Sequence, residues 1–363
     1  MKKIVTLFMV VVLMLSVMVF TAYAEDEIKV FVENSRLEFD VAPETTPSFR
    51  TMVPMRAIFE ALGCTVSWDE ASLTAKGVTS ESKKTVELTI GSSIMKVNGA
   101  NVVLDAAPYQ TKDRTLVPVR AISESLDCEV HWDEDTQTVS IFKKLIPTGN
   151  VTYDGSANGY PRILITGNSI TRHAPSTSLG WNGNYGMAAS SESNDFVHIL
   201  IKKVREIHPN AVFCIVQAAQ WERGYNDEGI YNNYATAPDF RPDVVIYRLG
   251  ENVKDEYLAQ NDLLPAINSY LRFLTSKSED VKYVFTTNFW KDEAVDNATR
   301  AAAQAKGVEA IEIGHLGDDD MYKAKGLFSH SGVANHPGDA GMQAIADAIW
   351  TQLEGIVRAI PAK

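Results

Sequence analysis

The stretch Pro161-Arg162-Ile163-Leu164-Ile165-Thr166-Gly167-Asn168-Ser169 decides the architecture of the larger part of this chain. Its apolar run is short, nearly continuous and closed by glycine and asparagine. That is the pattern of a strand covered on both faces, not of one half-exposed to water. With 162–167, four further runs read the same way: 211–218, 243–249, 282–288 and 308–313. Segments of helical periodicity lie between and after them, at 194–207, 261–275, 294–306 and 338–357. Strands alternating with helices predict an α/β fold, a three-layer doubly wound parallel sheet. Ligands of such sheets lie beyond the carboxyl ends of the strands, which is where Ser169 stands.

Two other junctions carry chemistry. Gly250-Glu251-Asn252 closes a second apolar strand, and His336-Pro337 stands just before the last helix. A serine hydroxyl becomes a nucleophile only when a base takes its proton. Histidine is the side chain whose ordinary pKa suits that task. An asparagine amide at a strand end is able to donate to a developing oxyanion. Gly250 lets that amide approach, and Gly250 itself, Glu251 and Trp221 are candidate substrate contacts. Gly-x-Ser alone is a common turn; the weight comes from the serine, asparagine and histidine together at these junctions. His330 is a rival base that lacks the sequence following His336. Arg172 and His173 are read as shaping the entrance, and Trp181 as packing. His315 beside Asp318-Asp319-Asp320 shows no ligand spacing, so no metal and no cofactor is expected.

Upstream, Arg50-Thr51-Met52-Val53-Pro54-Met55-Arg56-Ala57-Ile58 returns as Arg114-Thr115-Leu116-Val117-Pro118-Val119-Arg120-Ala121-Ile122. The match runs on through Cys64/Cys128, Val66/Val130 and Trp68-Asp69-Glu70/Trp132-Asp133-Glu134, always 64 residues apart. Each copy reads as proline, a short helix, a turn and a strand of period two. Residues 26–143 are thus a small α+β domain with internal pseudo-symmetry. Trp68 and Trp132 are expected in its core. Cys64 and Cys128 are read as buried thiols, a disulfide between them being the alternative outside the cell. Residues 144–160 are rich in turn formers and read as a linker.

The chain has 363 residues, enough for two domains, and a formal net charge of −12. Such an excess of acid repels nucleic acid and anionic membranes. Lys2-Lys3, the apolar run Ile4 to Phe20 and Ala22-Tyr23-Ala24 form a secretory signal pattern over residues 1–24, with cleavage expected near Ala24. The expected location is the outside of a bacterial cell, secreted or at its surface.

Residues 161–363 resemble the SGNH (GDSL-type) hydrolases. The resemblance rests on Gly167-Asn168-Ser169-Ile170-Thr171, Gly250-Glu251-Asn252 and His336-Pro337-Gly338-Asp339-Ala340-Gly341. It implies a flavodoxin-like fold with Ser169 as nucleophile and His336 as base. The oxyanion hole would be Asn252 with the Ser169 N–H. Two departures stand out. The family's aspartate three residues before the histidine is Val333 here, so a backbone carbonyl orients the imidazole, as a dyad, or a distant acid does; Glu222, Glu251 and Asp318–Asp320 are candidates. The family's oxyanion glycine is missing after the second strand, and Gly186 is the substitute expected to lend its N–H. Residues 26–143 resemble the copper amine oxidase N-terminal-like domain, which implies a surface-association module. One histidine, His131, stands in that segment, and copper is not expected.

The resemblance and the leader together imply an exported serine esterase acting on ester groups, O-acetyl above all, of a carbohydrate or acetylated polysaccharide. Two other readings fit the same segments: a surface binding protein that kept the fold without the activity, and a lipid or thioester hydrolase.

Overall fold

The computed structural model describes residues 27–80 and 83–361; the segment 1–24, read from the sequence as a secretory signal, lies outside the described residues. The chain divides after Lys143 into two compact units. It is a mixed α/β chain, with four sheets among the described residues.

In the first unit the elements are β1 (Lys29–Val32), β2 (Ser35–Arg36), β3 (Glu44–Thr45), β4 (Thr51–Pro54), α1 (Met55–Ala61), β5 (Cys64–Asp69), β6 (Thr74–Thr79) and β7 (Thr85–Thr89). They continue with β8 (Ile94–Val97), β9 (Ala100–Val103), β10 (Tyr109–Thr111), β11 (Arg114–Pro118), α2 (Val119–Ser125), β12 (Cys128–Asp133) and β13 (Thr138–Lys143). Both repeats fold alike, with proline ending a strand and opening a seven-residue helix. The repeats meet where β4 pairs antiparallel with β11, Val53 facing its own counterpart Val117. Ile58, Phe59 and Cys64 of one copy share a single core with Ile122 and Cys128 of the other. Burial pushes the Cys64 thiol up to about 11. The tryptophans depart from expectation. Trp68 is half-buried, and Trp132 is 39% exposed. Trp132 shares its face of β12 with buried Cys128 and with Val130, and is exposed because it stands near the far end of the strand, beyond the core that covers them.

The second unit holds β14 (Val151–Asp154), β15 (Arg162–Gly167), α3 (Phe196–Arg205), β16 (Val212–Gln217), α4 (Ala219–Arg223), β17 (Val244–Arg248) and α5 (Asp255–Leu258). After them come α6 (Leu263–Leu274), β18 (Lys282–Thr286), α7 (Glu293–Ala305), β19 (Ala310–Ile311), α8 (Ser331–Ala334) and α9 (Asp339–Ala359). One sheet runs β14-β16-β15-β17-β18-β19. Its neighbours from β16 to β19 are parallel. Successive β15 residues feed opposite cores. Leu164 packs with the buried faces of α6 and α7, whereas Ile163 and Ile165 pack with α3 and α9. All six residues of β15 are buried, which is why its apolar run is unbroken. Asp195, Asp262 and Asp292 cap α3, α6 and α7 through backbone N–H groups.

Two boundaries differ from the sequence reading. The segment read as a linker, 144–160, belongs to the second unit and contributes β14, antiparallel to β16. Its four residues, flanked by Asn150 and Gly155, are too short to show a pattern between turn formers. The strand expected at 308–313 shrinks to Ala310–Ile311, as befits a sheet edge with one neighbour.

Candidate active site

Ser169 follows β15 directly, and the turn that presents it is built by its neighbours. The Asn168 side-chain carbonyl accepts the Ile170 N–H at 3.2 Å, and its backbone carbonyl accepts from Thr171 and Arg172. A Cβ on Gly167 would lie 1.8 Å from Thr171 Oγ1, so no other residue fits under this turn. Ser169 itself is half-buried. Among the described residues no hydrogen bond uses its backbone N–H.

His336 meets it from the far end of the chain. Its Nε2 lies 2.8 Å from Ser169 Oγ, and its Nδ1 lies 2.8 Å from the Gly332 carbonyl. A carbonyl only accepts, so Nδ1 carries the proton and Nε2 presents its lone pair to the hydroxyl. The imidazole stands edge-on to Trp290, ring centres 5.1 Å apart. Loss of water around the ring lowers the His336 pKa to about 4; the Gly332 carbonyl and the Glu251 charge act against that, while Arg248 and His173 add to it.

Val333, at the position where the resemblance implies an aspartate, is buried in a cluster with Trp181, Met187, Ala188 and Ala324. The alternative acids are engaged elsewhere. Asp318 pairs with Lys291, Asp319 caps the Met321 N–H, and Asp320 pairs with Lys323. His330 is exposed and caps α8. His315 is also exposed.

Beneath Ser169 lies a buried polar network. Arg248, 1% exposed, pairs with Glu251. Asn168 donates from Nδ2 to Glu251 at 2.5 Å and to Glu222 at 2.9 Å. Glu222, wholly buried, also accepts the Gly250 N–H at 2.6 Å and the Asn252 amide at 2.5 Å. Burial, then the nearby Glu251 charge, pushes the Glu222 carboxyl upward. Three N–H donors oppose that shift. Gly250 adopts φ of +148°, and a Cβ there would meet Asn288 Oδ1 at 2.3 Å. Asn252 further accepts from Arg223 at 2.9 Å, so its amide plane is held on both edges.

Four expectations need correction. Gly250 is not a substrate contact, because it is buried and Glu222 accepts its N–H. Gly186 does not offer its N–H to a ligand, because Asp195 Oδ2 accepts it at 2.9 Å while also capping α3. Trp221 is not a substrate contact. It is fully buried and stacks on Tyr270 at 4.6 Å. Glu251 is nearly buried too and serves Arg248, Asn168 and the Phe289 N–H, so it is a support beneath the site. Arg248 carries a signal in the sequence that the motifs do not: one charge ending the apolar run Val244-Val245-Ile246-Tyr247 demands a buried counter-charge. The Gly332 carbonyl has no sequence signal, since every residue carries one.

Comparison with known proteins finds no match among curated sequences. Three solved structures are similar at low identity. A family two carbohydrate esterase from Cellvibrio japonicus shares 14% identity with TM-score 0.38, over 55% of this chain and 62% of that one. A two-domain esterase described as active on acetylated mannans, co-crystallised with mannopentaose, shares 14% with TM-score 0.35, over 55% and 51%. Another structure of a two-domain esterase so described shares 15% with TM-score 0.33, over 56% and 50%. The chain thus spans between half and two thirds of the length of these structures. Among the described residues no helix is long and apolar enough to cross a membrane, and no group of three or more His, Cys, Asp or Glu stands ready for a metal ion. The repeated unit is where a family model matches: residues 31–141 are similar to the copper amine oxidase N-terminal domain.

Proposed function

We propose that this chain is an exported serine esterase that removes O-acetyl groups from glycans, its second unit a three-layer, flavodoxin-like SGNH hydrolase. The observation that carries the reading is the Ser169 Oγ to His336 Nε2 contact of 2.8 Å, with Nδ1 tied to a backbone carbonyl. Ser169 Oγ attacks the ester carbonyl while Nε2 takes its proton. The carbonyl oxygen becomes an oxyanion, held by the Ser169 N–H and the Asn252 amide. As the tetrahedral centre collapses, Nε2–H returns the proton to the departing sugar oxygen. Water then attacks the acyl-enzyme by the same route, releasing acetate and restoring Ser169. The support for export is the signal pattern at residues 1–24.

The reading is tested by acetate release from acetylated mannan, beside hydrolysis of p-nitrophenyl acetate and p-nitrophenyl palmitate. Turnover of both acetyl esters and none of the palmitate is the expected result. Cleavage of the palmitate alone would make the chain a lipid esterase. No turnover of any ester by the folded chain would make it a binding protein.

The pH profile is a separate expectation. A base with pKa lowered to about 4 is neutral, and therefore competent, at every pH above that value. The acid limb of kcat/KM is expected near pH 4, well below the ordinary histidine value of about 6.5. A limb at that ordinary value would mean the imidazole is hydrated in solution.

A further inference from the structure

The first unit contains one cleft built twice. One cleft is lined by Pro118, Val119, Arg120, Val130 and Trp132 of the second repeat, facing Arg50 and Thr51 of the first. The other is lined by Pro54, Met55, Arg56, Val66 and Trp68 of the first repeat, facing Arg114 and Thr115 of the second. Every one of these residues has its counterpart 64 positions away. The exchange follows from β4 and β11, which pair antiparallel about Val53 and Val117. Arg50, just before β4, and Arg114, the first residue of β11, are thereby carried across to the other repeat's tryptophan. The far arginine is held in both cases, Arg50 by Asp105 and Arg114 by Asp40 at 2.6 Å. Arg56 and Arg120 are exposed. A second aromatic ring lines each cleft, Phe49 in one and Phe39 in the other. The volumes are about 550 and 650 Å³, within the range of small-ligand sites.

We propose that these are two equivalent glycan-binding clefts, each taking a short run of uncharged pyranose units. The chemistry favours this ligand on three counts. A partly exposed indole lining a cleft offers an apolar platform to the C–H face of a sugar ring; Trp132 is 39% exposed, and Trp68 is half-buried with its N–H donated to Glu70 at 2.7 Å. Guanidinium and carboxylate groups held in pairs present fixed, planar donors and acceptors that suit neighbouring hydroxyls. Neither cleft has surplus positive charge: Arg50 and Arg120 are matched by Asp105 and Glu134, and Arg56 and Arg114 are outnumbered by Glu38, Asp40, Glu60 and Asp113. A polyanion gains nothing there, in a chain whose own net charge is −12. Two such clefts would hold the protein on a polysaccharide by avidity. The inference does not depend on the Ser169 chemistry.

Calorimetric titration of the full chain with mannopentaose and cellopentaose, and with trigalacturonate as the anionic control, tests it. The neutral sugars are expected to fill both clefts. Trp68→Ala and Trp132→Ala should each remove one equivalent, and the double variant both, while p-nitrophenyl acetate turnover stays unchanged. Trp68 is half-buried, so Arg56→Ala and Arg120→Ala, at exposed positions, repeat the test without touching the core. Each should weaken its own cleft about ten-fold, as loss of an interface arginine commonly does. Sugar binding unchanged in the tryptophan double variant, no binding of either neutral sugar, or binding of trigalacturonate alone would each overturn the proposal.

Discussion

Ser169→Ala and His336→Ala are each expected to abolish hydrolysis of p-nitrophenyl acetate, lowering kcat by on the order of 10⁴-fold or more with the fold intact. The two side chains act as one unit, so removing either costs about as much as removing both. The double variant should therefore be no slower than the worse single. Neither change should unfold the chain, because Ser169 and His336 are both half-buried at loop positions. A parent-like rate in either variant would end the serine esterase reading. The same geometry says what will not matter. The Gly332 carbonyl, not a carboxylate, holds Nδ1. Asparagine in place of Asp318, Asp319 or Asp320 should leave the rate near that of the parent. A large loss at any of the three would reveal a third catalytic member that the present geometry does not contain.

Glu222→Ala is expected to produce the next largest effect, a fall in kcat of about 100-fold with KM little changed, the scale of a lost oxyanion donor. In the proposed mechanism Glu222 is a positioning residue. Its carboxyl joins the Asn252 amide, the Gly250 N–H and Asn168, the residue beside Ser169. Without it, three donors lose their acceptor in a buried site, at about 1–3 kcal/mol for each one left unsatisfied. A lower melting temperature must accompany the change, so stability alone does not identify the role. The diagnostic is the split between kcat and KM measured well below the melting transition, together with Glu222→Gln. Glutamine keeps the volume but has one acceptor oxygen, and its NH₂ must face a donor. It should recover most of the stability and little of the rate. Recovery of both would make Glu222 a packing residue and remove Asn252 from the oxyanion role.

Much of this was legible in the linear sequence. The alternation from 162 to 357 marked the strands and helices because parallel strands covered on both faces require unbroken apolar runs, and Arg162–Gly167 is buried at every residue. The repeat was legible because the same helix–turn–strand unit needs the same apolar residues twice. Ser169 and His336 stand in the sequence at the junctions that the proposed chemistry requires, and the fold brings them within 2.8 Å. Other features were decided by contacts between distant residues. β14 is a strand only because β16 offers it an edge. Gly186 loses its donor to Asp195, nine residues on. Trp221 is buried because α6 brings Tyr270 against its face. The sequence by itself determined which residue types stand at the strand ends, since burial and turn geometry restrict those positions locally. Only the tertiary structure decided what orients His336 and what holds Asn252. A backbone carbonyl leaves no trace in composition, and the partners of a buried carboxylate are set by which loops the sheet brings together.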